Sequence, residues 1–247
     1  MSAVDGMLPE GPSLRQAVGV VAPFDLELDA ELWRWLPEGV DILMTRTPRV
    51  EGPVTAEFAR AISGFRDVEQ GVRDVTAGRA STVVYACTSG SFVAGRAGSE
   101  ALESAMLGAG ATSAITTSGA VVQALQALGV ARVSVATPYL SELSDLLVGY
   151  LGEYGISVAG HLSLGLGSKI WEASYAEIAE LARRADRSDA EAIVLSCTNL
   201  PTYDLIAPLE RELGKPVISA NQATMWAALR TLGRVANGPG QRLLEHR

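Results

Sequence analysis

Eight short apolar runs, rich in valine, isoleucine and alanine, recur along this chain, with helix-like stretches between them. They are AVGVVA (17–22), VDILMTR (40–46), STVVYA (81–86) and TSAITT (112–117), followed by RVSVAT (132–137), ISVAGH (156–161), AIVLS (192–196) and PVISA (216–220). A strand that is apolar on both faces must be covered on both faces, and a helix after each strand returns the chain to lay down a parallel neighbour. SGAVVQALQALG (118–129) and YLSELSDLLVGYLGEYG (139–155) have that helical spacing, and each closes on a glycine, as a helix end should. The pattern predicts an α/β fold of parallel sheet flanked by helices.

The runs also fall into two similar series. GVVAPFDLELDAELWRWL (19–36) lies over VSVATPYLSELSDLLVGYL (133–151) as strand, proline, aromatic residue and acidic amphipathic helix. Pro23 then matches Pro138, 115 positions on, and Phe24 matches Tyr139. VVYACTSGS likewise matches IVLSCTNLP, with Cys87 and Cys197 separated by 110 positions. Marks that repeat in one order at nearly one offset indicate a duplication. Two pseudo-symmetric, flavodoxin- or Rossmann-like halves are expected. Each cysteine would stand at the carboxyl end of a strand, where open α/β sheets bind ligands, and both would face one cleft.

Charge and hydropathy narrow the function. Lys and Arg number 20 against 28 Asp and Glu, a net charge of −8, and no basic run or aromatic-interleaved basic patch favours nucleic acid. No apolar run approaches the ~20 residues of a membrane span. MSAVDGMLPEGPSLRQ, at the start, lacks the basic and apolar regions of a signal peptide. Two cysteines in 247 residues make no disulfide framework. A soluble, cytoplasmic protein is expected, with no membrane partner.

The cysteines carry the chemistry. A free cysteine in a buried strand is often only a small hydrophobe, but two at matched strand ends argue for more. A metal site needs further ligands, and the only histidines, His161 and His246, join neither cysteine. The lack of histidine also speaks against a Cys–His pair of protease type. At a helix N-terminus a thiol's pKa is expected to fall. Thr88, Ser89 and Ser91, with Gly90 opening the backbone, would form an anion cradle beside Cys87, and Thr198 and Asn199 another beside Cys197. Two facing cradles suit a small molecule with one or two carboxylates. Asp25, directly after the first strand, either caps the next helix or faces the cleft. GLGSK (165–169) lacks the glycine spacing of a phosphate loop, and GAGATS (108–113) precedes a strand rather than following one.

ACTSGS and SCTNLP on duplicated α/β halves resemble the aspartate/glutamate racemase superfamily, over roughly residues 17–230. VVYACTSGSF, VATPY and LERELGKPVISANQATMWAALR (209–230) are most similar to its maleate cis-trans isomerase and arylmalonate decarboxylase branch. The resemblance implies a cofactor-independent enzyme with one catalytic cysteine per half. Decarboxylases of the branch keep only the second, so Cys87 favours the isomerase side. By the same resemblance Cys87 is the nucleophile, Cys197 its acid/base partner, and Tyr139 a ligand for a substrate carboxylate.

Asp25 and Lys169 stand nearest two positions where maleate isomerases carry asparagine, and two alternatives follow: they pair with each other across the cleft, or they contact a substrate unlike maleate. Aspartate after the first strand is also a glutamate-racemase feature. Maleate isomerisation is therefore the first expectation, a two-base Cys/Cys racemase of an amino or hydroxy acid the second, and a small-anion binding protein the third. The family further implies a homodimer and a C-terminal return. Residues 1–120 with about 221–247 would form the first half, and 121–220 the second. Leu200 and Pro201 crowd the second cysteine, so Cys87 is expected to have the lower pKa.

Overall fold

The first apolar run forms β1 (Gln16–Ala22), and every residue of it after Gln16 is buried. Its side chains alternate between two cores: Val18, Val20 and Ala22 enter one, Ala17 and Val21 the other. The first series continues through α1 (Asp29–Trp33), β2 (Val40–Arg46), α2 (Ala56–Ile62), α3 (Phe65–Thr76), β3 (Thr82–Tyr85), α4 (Thr88–Phe92), α5 (Gly95–Gly108), β4 (Ser113–Thr116) and α6 (Thr117–Ala127). The second runs through β5 (Arg132–Thr137), α7 (Ser141–Glu153), β6 (Ser157–Ser163), a 3-10 turn at Ile170–Glu172, α8 (Tyr175–Ala185), β7 (Ala192–Leu195), α9 (Tyr203–Leu213) and β8 (Val217–Ser219). Two helices follow, α10 (Ala220–Thr231) and α11 (Arg242–Glu245). This computed structural model describes residues 14–245; residues 1–13 and 246–247, His246 among them, lie outside the described residues.

The strands form two four-stranded parallel sheets, ordered β2-β1-β3-β4 and β6-β5-β7-β8. The same order in each sheet is the three-dimensional form of the repeat. Pro23 and Pro138 follow β1 and β5, and the cysteines follow the next strand inward, β3 and β7. The two series differ elsewhere. The helix expected after β1 is the five-residue α1, against thirteen residues in α7. Among the described residues no helix is long and apolar enough to cross a membrane.

Packing joins the halves. A small core lies between the first sheet and helices α3 and α5, around Val21, Val72, Val83, Leu102 and Met106. A larger one runs without a break from Val20 and Val84 to Val135, Leu143, Ile178 and Val194 in the second sheet. Residues 220–229 of α10 are all buried, so this helix has no solvent face. It packs on α6 and reaches β3, β4 and α1 of the first series as well as β8. The Thr224 hydroxyl donates to Thr117 Oγ1 at 3.0 Å. Beyond it, Asn237 N–H donates to the Trp35 carbonyl at 2.8 Å, and Trp35 Nε1 donates to Gln241 Oε1 at 3.0 Å.

Helix α3 approaches β1 closely because Gly71 has no side chain. A Cβ there would stand 2.7 Å from Val21 Cγ1 and 3.1 Å from Thr45 Cγ2. Overpacking costs about 1–3 kcal/mol, against about 1 kcal/mol of helix propensity regained from glycine. Gly71→Ala is therefore expected to lower stability, read as an earlier urea midpoint with an unchanged m-value; a stabilised variant would contradict the close approach.

Candidate active site

Both cysteines open into one cavity of about 30 Å³, lined by Pro23, Asp25, Cys87, Thr88, Ser89, Tyr139, Cys197, Thr198 and Asn199, with Val54, Phe58, Ile62 and Ile170 around them. The carboxyl ends of β1, β3, β5 and β7 thus meet at one point. The lining residues predicted from sequence gather there, except Lys169 and Ser91. Lys169 lines an adjoining outer cavity of about 380 Å³, and its Nζ lies 3.0 Å from Glu172 Oε1. Of the two alternatives for Lys169 and Asp25, the pairing across the cleft is not formed. A left-handed backbone at Lys169, φ 52°, starts the 3-10 turn and carries the side chain to the exposed rim. Asp25 caps no helix, since α1 begins at Asp29; it lines both cavities.

The two thiols sit in different local structures. Cys87 is the N-cap of α4, in ordinary extended backbone, and its Sγ accepts from Gly90 N–H at 3.4 Å. Ser89 Oγ lies 3.7 Å from the sulfur. Gly90 is required by space: a Cβ would stand 2.5 Å from Tyr85 Oη and 3.2 Å from Cys87 Sγ. Ser91, expected in the cradle, instead donates to the Thr88 carbonyl at 2.9 Å and accepts from Ser118 N–H at 3.0 Å.

Cys197 does not stand at a helix start. A turn follows it, closed by Leu200 N–H on the Cys197 carbonyl at 3.2 Å, and α9 begins only at Tyr203. Its φ of 137° is a region that side-chain-bearing residues rarely occupy, at a cost of about 1–3 kcal/mol. Asn199 N–H donates to its sulfur at 3.4 Å. The Asn199 side chain is held in place, with Nδ2 donating one hydrogen to the Asp25 carbonyl at 2.8 Å and Oδ1 accepting from Glu27 N–H at 2.9 Å.

Two cavity hydroxyls are buried without a partner, Thr88 Oγ1 and Tyr139 Oη. A buried hydroxyl with no acceptor is costly, and an anionic oxygen bound in the cavity would satisfy both. Above them Val54 N–H donates to the Gly167 carbonyl at 2.8 Å, tying the β2–α2 connection to the one after β6.

Burial overrides the helix terminus in setting the thiols. It pushes Cys87 up to about 11, against the pull of Gly90 N–H and the Ser89 hydroxyl. Burial likewise pushes Cys197 up to about 12, against the pull of Asn199 N–H. The lowered pKa expected for the unliganded thiols is thus reversed: both are protonated at neutral pH. Desolvation also raises the Asp25 carboxyl, opposed by its own backbone N–H and by the charge of Arg46. Sequence reasoning missed Tyr85, whose hydroxyl is held beside Cys87 by a 2.9 Å bond to the Ile62 carbonyl. It also missed Glu31 and Asn221, which reach the Cys197 turn from elsewhere in the chain. For Tyr85, the signal was an aromatic at the end of a strand otherwise built of small aliphatics.

Residues 60–244 match the family model described as arylmalonate decarboxylase. The arylmalonate decarboxylase of Bordetella bronchiseptica is 36% identical over 186 residues, covering 74% of this chain and 77% of that protein. The maleate isomerase of Nocardia farcinica is 31% identical over 195 residues, covering 76% and 77%. Among solved structures, a liganded double mutant of arylmalonate decarboxylase superposes with a TM-score of 0.86 and 31% identity, over 94% of this chain and 100% of the other. A Nocardia farcinica maleate cis-trans isomerase mutant with a covalently bound succinylcysteine intermediate gives 0.82 and 27%, over 94% and 99%.

Burial raises Cys197 further than Cys87, so Cys87 holds the larger thiolate fraction, and below its pKa that fraction rises tenfold per pH unit. Limited iodoacetamide labelling read by mass spectrometry is expected to favour Cys87 and to accelerate steadily from pH 7 to 9. A rate that levels off near neutrality, or faster labelling of Cys197, would overturn the assignment.

Proposed function

The chain belongs to the arylmalonate decarboxylase family, and on that premise we propose that it is a cofactor-independent cysteine isomerase of a small cis-unsaturated dicarboxylate, of the maleate class. The observation that carries the reading is the pair of thiols, one from each sheet, in a single cavity with two unpaired hydroxyls. Decarboxylation of a malonate needs one proton donor at the carbon that loses carboxylate, whereas two thiols can divide nucleophile and acid between them.

In this mechanism the Cys87 thiol, neutral in the free protein, gives its proton to solvent as substrate binds, and regains one after product leaves; the thiolate adds to one alkene carbon. A C–S bond forms, the π pair moves to the neighbouring carbon, and its charge spreads into the adjoining carboxylate. Cys197 supplies a proton to that carbon and later takes it back. The former double bond is then single and can rotate. The C–S bond breaks, its electron pair returns to Cys87, and the trans diacid leaves. Thr88, Ser89 and Tyr139 would hold the carboxylates through hydroxyl donors, and Thr198 would stand on the Cys197 side. The cavity of about 30 Å³ adjoins the outer one of about 380 Å³, with Asp25, Val54, Phe58, Ile170 and Asn199 lining both, and a diacid would enter from that side.

A second reading is decarboxylation, favoured by the 36% identity to the Bordetella bronchiseptica enzyme. Two-base racemisation stays a third, since it also uses two facing thiols. Homodimer assembly and a cytoplasmic setting remain part of the proposal.

One set of incubations separates these reactions. Maleate without added cofactor is expected to give fumarate by NMR, while an arylmalonate releases no CO2 and an amino acid takes up no deuterium at Cα. CO2 release or Cα deuteration without fumarate would replace the isomerase reading. Cys197→Ser is expected to cut turnover by about 10²–10⁴-fold, as removing a general acid does. It should also leave an adduct of diacid mass on Cys87; an adduct on no residue of that variant would remove the covalent step.

Asp25 adds a pH signature. Its raised pKa keeps it neutral further up the pH scale than an ordinary carboxyl, and ionisation above that pKa sets a charge against a dianionic substrate. KM for maleate relative to that of Asp25→Asn should therefore rise with pH through the Asp25 titration. A ratio independent of pH would mean that Asp25 does not face the substrate.

A further inference from the structure

A carboxylate and an amide remote in sequence converge on the turn that carries Cys197. Glu31, in α1, is buried, and its Oε1 accepts from Thr202 N–H at 2.7 Å, from the Thr202 hydroxyl at 3.3 Å and from Tyr203 N–H. These are the N–H groups at the start of α9. Its Oε2 accepts from Asn221 Nδ2 at 2.7 Å. The same Nδ2 donates to the Thr198 carbonyl at 2.9 Å, one residue past Cys197. Asn221 is buried in the first turn of α10.

Neither Glu31 nor Asn221 lines the thiol cavity, so neither is placed to touch substrate. Their arrangement nevertheless bears on the thiol. Cys197 is held at φ 137°, a conformation its own sequence does not favour, and such a turn persists only when its surroundings over-determine it. Asn199 fixes one side of the turn through Asp25 and Glu27, and the Glu31–Asn221 pair fixes the other through Thr198. Glu31 also occupies the N-terminus of α9, where its carboxyl oxygen takes the N–H groups of Thr202 and Tyr203, so that the helix start is satisfied within the protein. The first half has no such plug: the Cys87 sulfur itself takes the corresponding N–H of α4.

From this we infer that Glu31 and Asn221 are positioning residues for Cys197, holding its turn strained and its thiol aimed at the cavity, so that the second cysteine acts as the acid while the first attacks. The donor geometry makes the pair specific. Both hydrogens of Asn221 Nδ2 are used, one on Glu31 and one on Thr198. Glu31→Gln would either set two N–H groups against each other or flip Asn221, and a flip turns its oxygen toward the Thr198 carbonyl. Either outcome cuts the link.

The name of acid given to Cys197 rests on the isomerase reading; the clamp does not. The test therefore reads the thiols directly. Wild type, Glu31→Gln and Asn221→Ala are each labelled sparingly with iodoacetamide, with Cys87 in the same molecule as the reference. Asn221→Ala leaves Glu31 on the N–H groups of Thr202 and Tyr203, so the start of α9 stays anchored. Both variants are expected to label Cys197 several-fold faster relative to Cys87. With maleate as substrate, kcat should fall by about 10²-fold while KM holds, as misplacement of one reacting group would give. An unchanged labelling ratio in either folded variant overturns the proposal. So does a failure of both variants to fold, because the link would then be structural. If wild type does not turn over maleate, the isomerase reading falls and the labelling ratio still decides the clamp.

Discussion

The residues between the two sheets are buried, and a polar group placed there loses its hydration unless another group replaces it. That requirement organises the centre of the molecule. It forces Glu31 to collect donors from Thr202, Tyr203 and Asn221, whose bonds oppose the upward push of burial on its carboxyl. It makes both ends of Asn199 reach the β1–α1 connection, and it pulls Ser91 onto Ser118. The same burial holds the thiols neutral, and among the described residues nothing satisfies the hydroxyls of Thr88 and Tyr139. A carboxylate bound there would bring the acceptors that the walls lack.

Duplication supplied two equivalent strand ends, yet the residues that follow make them unequal. Thr-Ser-Gly-Ser after Cys87 is small enough to turn at once into α4, with Gly90 passing close under Tyr85. Thr-Asn-Leu-Pro after Cys197 cannot do the same. Pro201 has no N–H to give, Leu200 is drawn fully into the core, and the helix is delayed to Tyr203. One sulfur therefore caps a helix while the other rides on a strained turn. The physical difference between these two like residues lies in the backbone rather than in a neighbouring charge.

Much of this was legible in the chain itself. The apolar runs marked every strand to within two residues, because a strand covered on both faces has few ways to be polar. Cys87, Cys197, Pro23 and Tyr139 could be placed together because the repeat puts them at equivalent strand ends. What stayed hidden depended on partners far along the chain. Nothing around Lys169 announces a left-handed turn that sends it to Glu172, and nothing around Asn199 announces that Asp25 and Glu27, more than 170 positions away, hold its side chain. The thiol pKa values were misjudged for a related reason. A helix terminus can be read from local sequence, but the burial that outweighs it belongs to the whole fold.

The return of α10 to the first sheet has a consequence for synthesis. Residues 132–219 hold all four strands of the second sheet in one uninterrupted stretch, whereas the first sheet waits for a cover made some 100 residues after its last strand. Trp35 meets Gln241 only when nearly the whole chain has been made. On a ribosome, which delivers the amino end first, the half that emerges earlier is thus the later one to be sealed, and the face of α6 that will receive α10 is bare in the interval. The order of translation and the order of closure run in opposite directions.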